Sequence, residues 1–113
     1  MTNCDALAET VHQYPETFAE FKRIQTEQYV TFCKKMHDYG ASNIAMGLDL
    51  SKPENINVSL SGIVIRVNDK IQRLFNLIFK NKSAVNEPIE DAFKDTAVYC
   101  IIAQIVSNKK WGK

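Results

Sequence analysis

Neither sign of charge dominates this chain: 14 Lys and Arg stand against 13 Asp and Glu in 113 residues, a formal charge of +1. That balance excludes the strong overall field of a general nucleic-acid binder, so recognition of an anion must be local. Cysteine is scarce. The three present, Cys4, Cys33 and Cys100, are odd in number, widely spaced and form no CxxC pair. This argues against a disulfide framework and a structural zinc site, and makes a reducing cytoplasm the natural compartment. The apolar stretches are broken by charge well short of the ~20 residues a membrane span needs. The opening Met1-Thr2-Asn3-Cys4-Asp5-Ala6 sets no basic stretch ahead of an apolar run, as a signal peptide would. With only four Gly and three Pro, and with 45% hydrophobic and 24% charged residues, the composition is that of one soluble globular domain over 1–113. A domain of this size hides roughly two thirds of its unfolded surface, so self-association into a homo-oligomer, most simply a dimer, is expected to bury more.

What is present is helical periodicity. From about Thr17 to Asp38, Phe18, Phe21, Tyr29, Phe32, Cys33 and Met36 fall mostly three or four apart with charged residues between them, an amphipathic helix begun by Pro15 and stopped by Gly40. Asn3 to Gln13 reads as a shorter helix. From Ala41 to Asn57 the period fails among Gly47, Pro53, Asn and Ser, which predicts a long loop with room for one helical turn; such loops in small domains are commonly functional. Ser59 to Lys80 regains a helical face at Ile63, Val64, Val67, Ile71, Leu74, Phe75 and Ile78, too long a run for a strand. After a polar turn, a last helix begins near Glu87-Pro88 with Ile89, Phe93, Ala97, Cys100 and Ile101 on one face. Beyond Tyr99 it is apolar nearly all round, which predicts burial on several sides. No hairpin signal, internal repeat or heptad series stands out. The expected fold is all-α: a small bundle of three long helices plus one short N-terminal helix.

Two stripes could carry chemistry. Arg66, Asp69, Lys70 and Arg73 recur at helical spacing and are expected opposite the apolar face, where three cations could hold a di- or triphosphate. The plainer reading is a solvated helix face with an internal ion pair. Glu87, Asp91 and Asp95 step by four along the last helix, so successive turns could offer oxygens to a hard cation such as Mg²⁺. Acids in a first helical turn also simply suit the macrodipole, although Asp95 lies beyond that turn. Asp38-Tyr39-Gly40 opens the loop, where Tyr39 could stack on a base and Asn43 hydrogen-bond one. No P-loop, GxGxxG turn or Cys/His or Ser/His nucleophile pair is found.

In order, Lys35-x-x-Asp38-Tyr39-Gly40, Arg66-x-x-Asp69-Lys70-x-x-Arg73-Leu74 and Glu87-x-x-x-Asp91-x-x-x-Asp95-x-x-x-Tyr99 resemble the nucleotide modification associated domain 1 family, small proteins frequent in phages and prophages. The resemblance covers about residues 30–106. That family looks like a relative of the all-α, MazG-like nucleoside triphosphate pyrophosphohydrolases. It implies nucleotide binding by Lys35, Asp38, Tyr39, Asn43, Arg66, Lys70, Arg73 and Tyr99, and Mg²⁺ at Asp69, Glu87, Asp91 and Asp95, with Glu87 and Asp91 catalytic. The first acidic half of the MazG-like site, Glu-Glu-x-x-Glu, has no counterpart here; Glu16 and Glu20 are the nearest substitutes. Asn86-Glu87 replaces the family's frequent Asp-Glu.

Two functions therefore compete: Mg²⁺-dependent pyrophosphohydrolysis of a nucleoside triphosphate, and sequestration of a nucleotide, such as a host immune signal, without turnover. A purely structural helical domain is the third. The short turn between the last two helices predicts antiparallel neighbours, with Arg73 level with the early acids and Arg66 near Tyr99. The charges are expected to converge on one cleft, roofed by Tyr39.

Overall fold

The computed structural model describes residues 2–113 and is all-α. Its helices are α1 (Asn3–Gln13), α2 (Pro15–Tyr39), α3 (Ser42–Ala45), α4 (Pro53–Leu74), continued by a π-helical turn (Phe75–Phe79), and α5 (Ile89–Ser107). There are thus five α-helices, the fifth being the four-residue α3 inside the segment read as a loop. Packing divides the chain into two units, one ending at Lys34 and one spanning Lys35–Lys113.

In the first unit, α1 starts on a capping box: Asp5 N–H donates to Thr2 Oγ1 at 3.1 Å, and Thr2 N–H donates to Asp5 Oδ2 at 3.2 Å. These bonds satisfy donors that a helix start leaves without partners. Pro15, which has no N–H to lose, opens α2. On the polar side of α2, Arg23 bridges Glu20 and Glu27, the latter at 2.9 Å. The amphipathic patterning is real, yet neither helix contains a buried residue.

The second unit is built on α4 and α5, which pack antiparallel. Arg66 on α4 lies over the Tyr99 ring of α5, 5.8 Å from its centroid, and Lys70, one turn on, meets Asp95, one turn back. The same register sets Ile63 level with Ile102 and Ser59 level with Val106, all four buried. The seam is therefore apolar at the N-terminal end of α4 and charged at its C-terminal end. Antiparallel pairing alone matches the apolar half of each helix to that of the other. Each fully buried Ile or Val contributes about 1.5–3 kcal/mol through lost water contact.

The loop is tied down from three sides. Ser59 Oγ donates to the Ile44 carbonyl at 2.7 Å, and the buried Trp111 donates its Nε1–H to the Ala41 carbonyl at 3.0 Å. A Cβ on Gly62 would meet Met46 Sδ at 3.3 Å, so this glycine lets the loop lie close on α4. Gly40, at φ 68°, ends α2 in the left-handed region that suits glycine.

Three expectations change. First, α4 begins at Pro53, six residues before Ser59, because Pro53 takes the first helical position and Ile56 and Ser59 extend the buried line. Second, Arg66, Lys70 and Arg73 do not stand opposite the core face. They are half-buried and continue the line of Ser59 and Ile63 toward α5, since steps of three and four keep all of them on one side. Third, α5 is not covered all round beyond Tyr99: Ile102 and Val106 are buried while Ile101 is 51% exposed, because α4 covers a single side.

Candidate functional site

The charged half of the α4–α5 seam centres on Asp95. Its Oδ2 accepts from Lys70 Nζ at 3.0 Å, and its Oδ1 lies 3.6 Å from Lys35 Nζ, at the end of α2. One carboxylate thus faces two ammonium groups. The hydrogen bond that Lys70 donates to Asp95 raises the Lys70 pKa above its ordinary 10.5, burial opposes the rise, and the fields of Asp95, Glu87 and Tyr99 add to it. Lys70 is accordingly a cation throughout the neutral range.

Arg66 is held one turn away. Its guanidinium lies over Tyr99, and its Nη2 donates to the Asn43 carbonyl at 3.2 Å, so the loop steadies the arginine through its backbone. A ring face and a carbonyl are both weak partners for a guanidinium compared with a carboxylate or phosphate. Arg73 caps the other end, donating to the Glu87 carbonyl and, at 3.4 Å, to the Pro88 carbonyl. Arg73 does stand level with the early acids and Arg66 near Tyr99, as the short turn predicts.

The remaining expected residues are less gathered. Asp69 is exposed on the flank of α4, a quarter-turn from Lys70, and does not join Asp95. Asp91 is half-buried on the seam line, whereas Glu87 is exposed just before α5. Among the described residues, no three His, Cys, Asp or Glu side chains group so as to hold a metal ion. As folded, Asp95 turns one oxygen to each of two lysines, and Asp69 lies exposed on the flank of α4. Tyr39 is 68% exposed rather than roofing the charges, and Asp38 pairs with the neighbouring His37 at 3.1 Å.

The loop has a second side. Ser42, Ala45, Gly47, Asp49, Lys109 and Trp111 are among the residues lining a cleft of about 380 Å³. Within it, Asp49 accepts from the Ser51 N–H at 3.0 Å, and hydrogen bonds from Ser51 hold its carboxyl below the ordinary 3.8, with smaller help from Lys52 and Lys113. Sequence reading passed over Ser59 and Trp111, which place this loop. Ser59 was detectable in principle, since it falls on the helical line from Ile56 to Ile63, but a serine in an apolar series reads as an interruption.

The family model for nucleotide modification associated domain 1 matches residues 35–106, and the chain belongs to that family. The match begins at Lys35, where the second unit begins. No curated protein and no solved structure matches the chain. No helix among the described residues is long and apolar enough to cross a membrane.

Proposed function

Starting from that membership, we propose that the protein binds a nucleotide through its phosphates at the charged half of the α4–α5 seam. The observation that carries this reading is the excess of cations: Lys35 and Lys70 share a single carboxylate, Asp95, while Arg66, one turn along α4, has a ring face and a backbone carbonyl as partners. A phosphate chain competes for both lysines and offers Arg66 a better partner than a ring face and a carbonyl. Tyr39, exposed at the end of α2, supplies a ring on which a base can stack, and Arg73 holds the start of α5 in place.

A second reading is MazG-like hydrolysis between the α- and β-phosphates of a nucleoside triphosphate. It is supported by Asp91, whose half-buried carboxylate makes no hydrogen bond or ion pair with the described residues. Phosphate at the lysines would also release Asp95, one turn from Asp91, from both of its partners. Binding without turnover needs only the cations; hydrolysis needs the released acids as well.

The test is a panel of ribo- and deoxynucleotides, with and without Mg²⁺, read by thermal shift and by pyrophosphate release. Lys70→Ala and Arg66→Ala are each expected to weaken binding about 10- to 100-fold, the size of one charge-assisted contact. Asp95→Asn separates the readings. If Asp95 is only a counter-ion, binding tightens; if it acts in hydrolysis, turnover is lost. No shift with any nucleotide would overturn both.

A further inference from the structure

Trp111, the one tryptophan of the chain, lies beyond residues 35–106 of the family match, yet α3 links it to the charged seam. A helix of four residues cannot satisfy its own last carbonyls. In α3, side chains from α4 take them over: Arg66 Nη2 donates to the Asn43 carbonyl at 3.2 Å, and Ser59 Oγ to the Ile44 carbonyl at 2.7 Å. At the front of α3, the Ala41 carbonyl accepts from the Ala45 N–H at 3.2 Å and from the Trp111 Nε1–H at 3.0 Å. Gly112 lies close on the same residue, since a Cβ on it would meet Ala41 Cβ at 3.2 Å. Trp111 and Ile44 are both buried, so the tether is anchored at each end.

We infer that Trp111 is a positioning residue for Arg66: by fixing α3 it fixes the Asn43 carbonyl, and with it the guanidinium offered to phosphate. This rests on the reading of the seam as a phosphate site. Arg66 has no carboxylate partner among the described residues, so two weaker contacts set its direction. The Tyr99 ring, 5.8 Å from the guanidinium, restrains its plane, and the bond to the Asn43 carbonyl restrains rotation within that plane. The remaining N–H donors are left for phosphate oxygens. One helical turn does not hold its own shape, so the Asn43 carbonyl stays in place only while Trp111 and Ser59 hold the turn on either side of it. An arginine ordered before the ligand arrives loses less side-chain freedom on binding, and that saving is what Trp111 contributes.

Two measurements on the full chain test this. Without ligand, Trp111→Phe, which keeps an aromatic ring and deletes the N–H, should raise the mobility of the Arg66 Nε–H by nitrogen NMR relaxation and leave that of Arg73 unchanged. With inorganic tripolyphosphate as the probe, calorimetry should show binding weakened about 2- to 10-fold by Trp111→Phe, the worth of ordering one long side chain. The same loss is expected on a Lys70→Ala background and none on Arg66→Ala, because the effect passes through that arginine. Ser59→Ala, which frees the neighbouring Ile44 carbonyl, should follow the same pattern and replaces Trp111→Phe if that variant fails to fold. An equal loss in all three backgrounds overturns the inference, as does an Arg66 signal as rigid in the variant as in the wild type. Wild-type protein that binds neither tripolyphosphate nor any nucleotide overturns the phosphate reading, while the mobility of Arg66 still decides what Trp111 does.

Discussion

The first unit, formed by α1 and most of α2, and the α4–α5 seam both carry apolar residues at helical spacing, with opposite results. Ile63, Ile102 and Val106 on the seam are buried, whereas no residue of α1 or α2 is. Periodicity sets which side of a helix seeks cover; only a partner element supplies it. The seam finds its partner through a short connection that returns the chain antiparallel.

The largest effect expected to test this contrast comes from truncating one side chain in each region. Ile63→Ala should lower the unfolding free energy by about 2–5 kcal/mol, as buried large-to-small changes do. Phe21→Ala should change it by no more than ~0.5 kcal/mol in protein dilute enough to be monomeric. Similar losses at both sites, measured by urea denaturation, would erase the distinction between the regions.

Next in size is Ala92→Leu. Ala92 is fully buried and level with Arg73 across the seam, so a larger side chain should cost about 1–3 kcal/mol by overpacking and loosen the hold of Arg73 on the start of α5. A well-tolerated leucine would mean that the charged half of the seam is slack where the apolar half is tight.

A smaller, pH-dependent effect belongs to Lys70. Because its folded pKa is raised above 10.5, its contribution is fully present below that value and is lost as pH climbs through the folded pKa. Thermal stability should therefore fall on the alkaline side above about pH 10.5, and Lys70→Met should flatten that limb by removing at neutral pH the stabilisation that the wild type loses only in alkali. The smallest effect is in the first unit. Hydrogen bonds from Thr2 hold the Asp5 carboxyl below 3.8, so the cap is intact above that pH and is lost as acid protonates the group. Thr2→Ala should reduce helicity slightly by circular dichroism and leave the urea midpoint of the seam where it was.

Much of this was legible in the residues. The all-α class, the span Asn3–Gln13, and the levels of Arg73 and Arg66 against α5 follow from period, caps and a short turn. The cationic stripe was legible as a stripe but was assigned to the wrong side, since spacing relates residues to one another without saying which line meets a neighbour. Asp69 and Asp95 were grouped by charge type; a quarter-turn of helix separates the direction of Asp69 from that of Lys70, and Asp95 prefers the lysine.

By itself, then, the sequence determined the local facts: helix spans, the polarity of each face, and a pairing direction forced by chain length. Tertiary structure alone decided which charges meet. Asp95 became the counter-ion of Lys35 and Lys70 because the end of α2, the C-terminal end of α4 and the first half of α5 converge there, from positions up to 60 residues apart in the chain. A long-range ion pair depends on side-chain directions summed over several helices, and no local period encodes that sum.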